Sequence, residues 1–474
     1  MNAGPSEPAR RTALVIPIAV GAFFGAVSTR LGTGDSDVFW HLVAGNETLA
    51  SGLPRVDTHS WTVAGQAIST DQWLGQVLWA LAFDTAGWRG IVALRALAIA
   101  LLVGLVAYAA LRERPGRPLV AVLAALPAIL LSRFVWTERP ELFGFVCFAA
   151  LVPLLRAGRA GSARALVALP VLLALWANLH GSFALGAVLV VAMAIEGALT
   201  DAPHRGRYAA VAIASLAATL LTPSGIGGWT APGYHLLRPP REIQEWSVPD
   251  VTTLPGIIFS VALFATIVTA LFARTRALRD GALLLPVLFV SLTATRQLPL
   301  FPIAAAPYLA SNGVDALRAL ADAVRVRLPR GSRTGAVPPR AADAVTLAFA
   351  ALALAAGSLT VDAAPSLGGF PVGALASLRA GPGLLNQYDW GGYLISAAPA
   401  TPVFVDGRLT PYLGDVLADY TTVIGVRPAW RDVIERRRIR QILVRPTDPI
   451  AVRARDLGWP IRASSDTFVL IDVP

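Results

Sequence analysis

The sequence predicts a mainly α-helical, polytopic membrane protein with about eleven transmembrane helices and a small α/β domain at its C-terminal end. Of its 474 residues, 55% are hydrophobic and only 15% are charged, and the mean hydropathy is +0.59, which is too apolar for an ordinary soluble chain. Apolar runs of about 17–25 residues, the length that crosses a bilayer as a helix, recur up to about residue 360. From Leu384 onward, short β-rich runs alternate with helix-like stretches, a pattern typical of an α/β domain.

Eleven apolar runs are assigned as membrane helices. They cover residues 12–31, 88–111, 118–134, 140–156, 164–180, 183–199, 207–222, 252–273, 280–295, 298–312 and 342–360. The segment Trp73–Gly87 is apolar but short and contains Asp84, which favours a re-entrant or interfacial helix. We therefore expect a transmembrane domain over residues 1–360 and an α/β domain over residues 361–474. In the α/β domain, TPVFVDG, RQILVRP and TFVLIDV are expected strands, and residues 413–424 and 430–437 expected helices.

The arginines, which are the only basic residues, set the predicted orientation. They lie in alternate loops: Arg10/Arg11, Arg112/Arg114/Arg117, Arg156/Arg159/Arg164, Arg205/Arg207, Arg274/Arg276/Arg279 and the Arg318–Arg340 series. The positive-inside rule makes these loops cytoplasmic. In a bacterial inner membrane the N-terminus is then cytoplasmic, and the other loops and the C-terminal domain are periplasmic. This arrangement accounts for the net charge of +10 without a nucleic-acid partner.

The chemically versatile side chains collect in the loops predicted to be periplasmic. They are Asp35, Asp37, Trp40 and His41 in the first loop, then Glu138, Arg139 and Glu141, Asn178 and His180, Glu242 and Glu245, and finally Arg296. Each has a plain structural alternative, such as helix capping, complementing a helix dipole, an interhelical hydrogen bond or a solvated surface charge. Carboxylates at helix ends carry a desolvation penalty, however, so their gathering on one predicted face favours a site.

These residue types suggest transfer chemistry with a phosphate leaving group at a membrane surface. Asp37 with Glu138 or Glu141 is the expected ligand set for Mn²⁺ or Mg²⁺, because such hard cations prefer oxygen ligands. Arg296 would neutralise a lipid-linked phosphate while a carboxylate orients or deprotonates the acceptor. The sequence has no P-loop, GxGxxG or HExxH motif, so nucleotide hydrolysis has no support.

At this point the layout resembles the GT-C membrane glycosyltransferases, in particular the catalytic subunit of oligosaccharyltransferase. DVFWHLVAGNETLASG resembles that family's opening loop, SRFVWTERPE its second acidic motif and EIQEWS its flexible loop. The resemblance implies that Asp37 is the catalytic carboxylate and that Arg296 contacts the donor phosphate. It further implies metal ligands at Glu138 and Glu141, and a catalytic glutamate at Glu245 with Glu242 as second choice.

The C-terminal segment NQYDWGGYLISAAPATPVFVDGRLTPY resembles the family's Trp-Trp-Asp-Tyr-Gly segment and the Asp-Gly strand after it. It departs from the family at Gln387, where the family has Trp, and at Trp390, where the family has Tyr. The layout is also similar to protein O-mannosyltransferases and aminoarabinose transferases. The resulting substrate-binding candidates are Tyr388, Asp389 and Trp390, with Trp40, His41 and His180 from the earlier loops; Trp40 and Trp61 are expected to stack on sugar faces.

The sequence therefore predicts a membrane glycosyltransferase. It would move a sugar or glycan from a polyprenyl-phosphate or polyprenyl-diphosphate donor to a periplasmic or lipid acceptor. One alternative is a non-catalytic transporter or flippase for a lipid-linked glycan, which would place charges within broken helices. Another is a membrane protein that binds a glycan without transferring it. The predicted spans are almost free of charge, with Arg95 an exception, which favours the transferase.

Overall fold

A computed structural model describes residues 7–32, 35–114, 117–237, 243–273, 278–324 and 364–474, together with residues 348 and 352. The described residues are mainly helical, and the chain divides into two compact units. The helical unit comprises Met1–Leu31 and Val92–Val361, and the mixed unit comprises Gly32–Ile91 and Asp362–Pro474. The predicted helix over residues 342–360 and the candidate Glu242 lie outside the described residues.

The helices up to residue 324 follow the apolar runs of the sequence. They are α1 (Glu7–Ser28), α2 (Val38–Ser51), α3 (Trp73–Glu113), α4 (Pro118–Ser132), α5 (Glu141–Arg159), α6 (Ala163–Leu179), α7 (Phe183–Thr200), α8 (Arg205–Ala218), α9 (Thr230–Leu237), α10 (Leu254–Phe272), α11 (Leu278–Ser291) and α12 (Leu300–Ala323). Every predicted membrane helix that falls on described residues coincides with one of these elements. Sustained apolar periodicity is a local property, which is why the sequence locates the helices well.

Five helices among the described residues are long and apolar enough to cross a membrane. They are Trp73–Glu113, Pro118–Val135, Glu141–Arg159, Phe183–Thr200 and Leu254–Phe272. The eleven predicted spans are therefore not confirmed. Helix α8 has 14 residues, about 21 Å at 1.5 Å per residue, whereas the hydrocarbon core is about 30 Å thick. Helix α12 is long enough, but its second half carries charged residues.

Small residues bring α1 and α3 close together in the helical unit. A Cβ at Gly25 would lie 2.7 Å from the carbonyl oxygen of Ala96, and one at Gly21 would lie 3.2 Å from the Cα of Gly104. Larger side chains would force these helices apart, and such small-residue contacts are common in membrane bundles. Elsewhere in this unit α12 packs against α4 and α10, and α5 packs against α6.

Ion pairs join several helix ends that the arginine pattern predicts to be cytoplasmic. Arg156, at the end of α5, lies 2.8 Å from Glu113 of α3 and 2.6 Å from Asp280 of α11. Arg114, just after α3, lies 2.7 Å from Asp315 of α12. The helical unit therefore brings together loops that are far apart in sequence and share one predicted side.

The mixed unit contains a four-stranded sheet of β1 (Leu384–Asn386), β2 (Gln441–Val444), β3 (Ile461–Ser464) and β4 (Val469–Asp472) in the order β1-β2-β4-β3. Strand β1 is parallel to β2, and the other two pairs are antiparallel. Its helices are α13 (Gly391–Ala397), α14 (Asp415–Ile424), α15 (Trp430–Arg437) and α16 (Pro449–Asp456). The small C-terminal α/β fold is thus confirmed, although TPVFVDG contributes only an isolated bridge between Ser60 and Val403.

The first long loop belongs to the mixed unit. Helix α2 packs against α13, and Trp40 shares a buried hydrophobic cluster with Trp390. The backbone N–H of Trp61 donates to the carbonyl of Val403 over 3.1 Å, and the N–H of Val403 donates to His59 over 3.0 Å. The predicted division at residue 360 therefore needs correction for residues 32–91. The sequence showed an apolar face on α2, but not which distant segment covers it.

Helix α3 is broken near its middle. Ala86 has φ −145° and ψ 18°, and Gly87 has φ 57° and ψ −144°. Glycine adopts this left-handed φ without the steric penalty of a Cβ. The break falls where the sequence separated the short segment Trp73–Gly87 from the helix over residues 88–111, and the chain passes from the mixed unit to the helical unit a few residues later, between Ile91 and Val92.

Candidate functional site

Two short turns and the start of α5 build a polar cluster in the helical unit. The first is the 3-10 turn Gln244–Trp246, and the second is the 3-10 turn Thr295–Gln297 between α11 and α12. The N–H of Thr295 donates to the carbonyl of Ser247 over 3.0 Å, which joins the two turns. We call this the arginine–glutamate cluster and define it as Arg139, Glu141, Glu245, Trp246 and Arg296.

Arg296 is at the centre of the arginine–glutamate cluster. Its Nε donates to Glu141 Oε1 over 3.0 Å and its Nη2 lies 2.7 Å from Glu141 Oε2, a bidentate pair. Its Nη1 donates to Glu245 Oε1 over 2.7 Å. Arg139 Nη1 lies 3.4 Å from the other oxygen of Glu245, and the Arg296 guanidinium stacks over the Trp246 ring at 4.9 Å. Stacking and bidentate pairing together fix the plane of the guanidinium.

The arginine–glutamate cluster holds two positive and two negative charges. Burial by itself would lower the pKa of Arg296, but the carboxylates of Glu141 and Glu245 outweigh it and raise that pKa above its usual value. Arg296 therefore remains a cation in this setting. Its side chain is 16% exposed and that of Glu245 is 38% exposed, so the cluster opens to solvent on the Glu245 side. Glu141, Glu245 and Arg296 received predicted roles from the sequence, whereas Arg139, named with Glu138 and Glu141 in the same loop, received none.

Glu138 has different surroundings from Glu141, although only two residues separate them. It forms a buried ion pair with Arg95 of α3, in which the two side chains are 2% and 1% exposed. Arg95 also donates to the carbonyl oxygens of Ser28 and Leu31, over 3.1 and 2.8 Å, at the end of α1. Because the last carbonyls of a helix have no intrahelical partner, Arg95 serves as a cap and Glu138 as its counter-ion.

The predicted Mn²⁺ or Mg²⁺ site gains no support from these contacts. Glu138 and Glu141 each pair with an arginine, and a divalent cation would have to displace a guanidinium from either one. Among the described residues, no group of three or more His, Cys, Asp or Glu side chains is placed to hold a metal ion. The residues present do not fit the implied cation, and we derive no chemical step from one.

Asp37 lies at the N-terminal end of α2 in the mixed unit. It occupies the N-cap position, yet its side chain makes no capping hydrogen bond to the helix. Asp35 makes the local contact instead, because its Oδ1 accepts a hydrogen bond of 3.0 Å from the backbone N–H of Asp37. Asp37 is half-buried. The turn is therefore shaped by Asp35, and the helix end does not require the Asp37 carboxylate.

Two glycines allow other backbone segments to approach the turn that carries Asp37, and a third allows those segments to approach each other. A Cβ at Gly407 would overlap the Asp37 carboxylate, 2.5 Å from its Cγ, and a Cβ at Gly392 would lie 2.5 Å from the carbonyl oxygen of Ser36. One at Gly391 would lie 2.5 Å from the Cβ of Asp406. Contacts this short exclude any larger residue unless the backbone moves. The Gly-Gly pair of YDWGGY and the Asp-Gly of VFVDGR thus position the Asp37 turn.

A buried charged network flanks Gly407 on both sides. Asp406 accepts hydrogen bonds from Arg408, of 2.8 Å from Nε and 2.6 Å from Nη2, and a short one from the hydroxyl of Tyr412. Arg408 Nη1 also lies 2.5 Å from Asp57 Oδ2, and Asp57 belongs to the first long loop. We call Asp57, Asp406, Arg408 and Tyr412 the Arg408 network. The sequence analysis missed it, although Arg408 directly follows the Asp-Gly pair that it singled out.

Charge in the Arg408 network is compensated by close pairing. Burial alone would raise the pKa of Asp406, but Arg408 and the hydrogen bond from Tyr412 reverse this and hold that pKa below its usual value. Burial and the neighbouring Asp406 raise the pKa of Tyr412 well above its usual value. The network therefore contains two carboxylates, one guanidinium and a neutral phenol at neutral pH, and it joins the first loop to the C-terminal segment.

The predicted roles of Trp40 and His41 as ligand contacts need correction. Trp40 lies in the core of the mixed unit, and His41 is 2% exposed, with ring centroids 3.6 Å apart. His41 Nδ1 is 3.5 Å from the side-chain amide of Gln76 on α3. A ring buried in a core presents no face to a sugar, so both residues serve packing.

The candidates in YDW separate into buried and exposed groups. Trp390 is buried in the core and its Nε1 donates to the carbonyl of Gly369 over 2.9 Å, which corrects its predicted role in substrate binding. The backbone N–H of Tyr388 donates to Tyr420 Oη over 2.9 Å. Asp389 is exposed and lies 3.0 Å from Arg445 Nη2. Asp389 follows β1 and Arg445 follows β2. Because these two strands are parallel, their carboxyl ends meet at one edge of the sheet.

His180 closes the turn between α6 and α7. Its Nδ1 accepts from the backbone N–H of Ser182 over 3.1 Å and lies 2.8 Å from Ser182 Oγ, which accepts in turn from Trp176 Nε1 over 3.0 Å. A Cβ at Gly144 of α5 would lie 2.6 Å from that hydroxyl. These contacts use one ring nitrogen of His180 to hold the turn together. They agree with the structural alternative for His180, a hydrogen-bonding role between helices.

Comparison with known proteins adds no relative to this description. No protein-family model and no curated protein matches the chain.

Proposed function

We propose that this protein is an integral membrane glycosyltransferase of the GT-C type that uses a sugar donor linked to a polyprenyl phosphate or diphosphate. The observation that carries the proposal is the arginine–glutamate cluster. It places two guanidinium groups and an indole at the ends of apolar helices, where the headgroup of a lipid-linked donor would be bound. Paired arginines suit phosphate oxygens because each offers parallel N–H donors with a fixed charge.

The proposed reaction uses two residues that the sequence singled out. Arg296 stabilises the departing phosphate, and Asp37 accepts the proton of the acceptor hydroxyl or amide. The bond from the acceptor heteroatom to the anomeric carbon forms, and the bond from that carbon to the phosphate oxygen breaks. Its electron pair leaves with the phosphate. Support for Asp37 comes from the resemblance carried by DVFWHLVAGNETLASG and from the partial exposure of Asp37 at the start of α2.

The proposed location is a bacterial inner membrane, crossed several times, with the N-terminus in the cytoplasm and the mixed unit in the periplasm. The five long apolar helices support a membrane location. The ion pairs of Arg114 and Arg156 support a shared side for these helix ends, which the arginine pattern assigns to the cytoplasm.

The test compares glycans, glycolipids and glycoproteins from cells that carry wild-type protein, Asp37→Asn, Asp35→Asn or no protein, using mass spectrometry. We expect one glycosylated product to depend on the protein and to fall about a hundredfold or more in Asp37→Asn, since an amide cannot act as general base. Asp35→Asn is the matched control. The asparagine side chain keeps an oxygen that can accept the hydrogen bond from the backbone N–H of Asp37. The substitution should therefore lower the stability of the fold by about 1 kcal/mol or less.

Other outcomes would overturn the proposal in recognisable ways. Normal product levels in both variants would leave the opening stretch as a structural turn. A lipid-linked glycan that accumulates on the cytoplasmic side without the protein would indicate a flippase. An unchanged set of glycans in its absence, together with glycan binding by the purified protein, would indicate a binding protein.

A further inference from the structure

The two carboxylates of the arginine–glutamate cluster are held in different ways. Glu141 is on the first turn of α5, makes a bidentate pair with Arg296 and is 12% exposed. Glu245 is on a three-residue turn, meets Arg296 through Nη1 alone and is 38% exposed. Glu141 is therefore the fixed counter-ion of Arg296, whereas Glu245 has the looser attachment.

Glu245 also bridges two arginines. Oε1 lies 2.7 Å from Arg296 Nη1, and Oε2 lies 3.4 Å from Arg139 Nη1. Two guanidinium groups that converge on one carboxylate match the way arginines hold a phosphate through two of its oxygens. Without Glu245, the arginine–glutamate cluster as defined keeps one carboxylate, that of Glu141, for its two guanidinium groups.

We propose that Arg139 and Arg296 form an anion-binding site for a phosphate ester and that Glu245 is its displaceable internal occupant. The inference rests on the proposed function, since it names the anion as the phosphate of a lipid-linked donor. It assigns Glu245 to regulating access to the site, where the resemblance to known glycosyltransferases had implied catalysis, and it adds Arg139 to the site.

Displacement of Glu245 by phosphate follows from the charges and the exposure. A polyprenyl phosphate becomes a monoester once its sugar has been transferred, and it then carries a charge of about −1.5 to −2 near neutral pH and offers three acceptor oxygens. It therefore interacts with two arginines more strongly than a single carboxylate does. Partly exposed ion pairs such as those of Glu245 contribute little free energy, and the released carboxylate is rehydrated. The Trp246 ring and Glu141 keep Arg296 in place during the exchange.

An internal occupant lowers the apparent affinity for the ligand by the fraction of time that it fills the site. If Glu245 fills the site about nine-tenths of the time, its removal tightens phosphate binding about tenfold. A catalytic glutamate with no contact to the anion would have no such effect. A gain of phosphate affinity on removal of Glu245 therefore distinguishes an internal occupant of the site from a catalytic residue.

The experiment measures binding of farnesyl phosphate, inorganic phosphate and neutral farnesol to the full-length protein in nanodiscs by isothermal titration calorimetry. The variants are Glu245→Gln, Arg139→Gln and the control Asp315→Asn. Asp315 is also a partly exposed acid paired with an arginine, 2.7 Å from Arg114, but it lies outside the cluster. Farnesyl phosphate and inorganic phosphate distinguish a lipid headgroup from free phosphate, because only the former gains affinity from the prenyl chain.

We expect Glu245→Gln to bind farnesyl phosphate about tenfold more tightly than wild type. Arg139→Gln should bind it more weakly, and Asp315→Asn should bind it as wild type does. Farnesol should show no difference between variants. Unchanged or weaker binding of farnesyl phosphate by Glu245→Gln overturns the proposal, as does equal binding by Arg139→Gln and wild type.

Failure of the anion-site proposal and failure of the proposed transferase function give different results. Tighter phosphate binding in Glu245→Gln, in a protein whose loss changes no glycan, would leave the anion site standing without glycosyl transfer. Protein-dependent glycosyl transfer with no gain of affinity in Glu245→Gln would leave the transferase standing and return Glu245 to a catalytic or structural role.

Discussion

Replacing Arg408 with methionine tests whether the Arg408 network holds the first loop and the C-terminal segment together. Methionine keeps much of the length and apolar volume of arginine but removes its charge and its hydrogen bonds. Asp57 and Asp406 are 1% and 0% exposed, so the change leaves two buried carboxylates without their cation. Removal of one partner from a buried ion pair costs about 3–5 kcal/mol. In a unit of this size that corresponds to a lower unfolding midpoint by about 10 °C.

The assay is thermal unfolding of the full-length protein in detergent, followed by tryptophan fluorescence at a fixed heating rate because membrane proteins often unfold irreversibly. The control is Arg436→Met. Arg436 pairs with Asp419 over 2.6 Å but is 60% exposed, and Asp419 keeps a second arginine, Arg437, at 2.7 Å. Exposed pairs contribute about 0–1 kcal/mol, so the control should shift the midpoint by only about 2 °C.

The pH dependence gives the same substitution a second readout. The folded-state pKa of Asp406 lies below its usual value, so its contribution to stability is complete above an unfolded pKa of about 3.9 and is lost as pH falls through the folded pKa. In Arg408→Met the Asp406 carboxylate, without its cation, becomes easier to protonate, and its protonation relieves the repulsion between Asp406 and Asp57. The deficit of Arg408→Met should therefore shrink between pH 7 and about pH 4.5. Midpoints equal to wild type at pH 7, or a deficit that stays constant with pH, would refute the reasoning.

Two further predictions address the Asp37 turn and the orientation of the chain. Gly407→Ala should displace the Asp37 carboxylate, which its Cβ would overlap, and so abolish the protein-dependent glycan seen by mass spectrometry. Gly369→Ala, at a glycine with no atom within 4 Å of an added Cβ, should leave that glycan unchanged, and equal product from both variants would contradict the close contact. Ala64→Cys should react with an impermeant maleimide in intact spheroplasts, whereas Ala160→Cys, in a predicted cytoplasmic loop, should react only after lysis. The reverse labelling pattern would invert the proposed orientation.

The positions of the helices follow from the sequence alone. The prediction for residues 164–180 corresponds to Ala163–Leu179, and that for residues 430–437 corresponds to α15. Apolar spacing and helix-ending residues act over one or two turns, so they need no knowledge of the rest of the chain. The number of spans does not follow in the same way, because hydrophobicity alone does not fix the length of the helix that forms; α8, for example, has 14 residues.

The polar candidates are only partly defined by the sequence. It placed Glu141, Glu245 and Arg296 among the residues of interest, and the structure brings these three into contact. It treated Glu138 and Glu141 as equivalent, however, and they face different arginines. Whether a carboxylate meets a cation, a metal or water depends on groups from other segments, which spacing along one segment cannot reveal.

The surroundings of the opening stretch were decided by the tertiary structure. The sequence placed Asp37 and Trp40 in the same predicted site. In the structure, Trp40 is part of a core completed by Trp390, and Asp37 lies against Gly407. Those partners are more than three hundred residues away along the chain. An apolar helix face or a carboxylate specifies what kind of partner it needs, and only the folded chain determines which residue supplies it, because packing depends on shape and distance in space, not on separation in sequence.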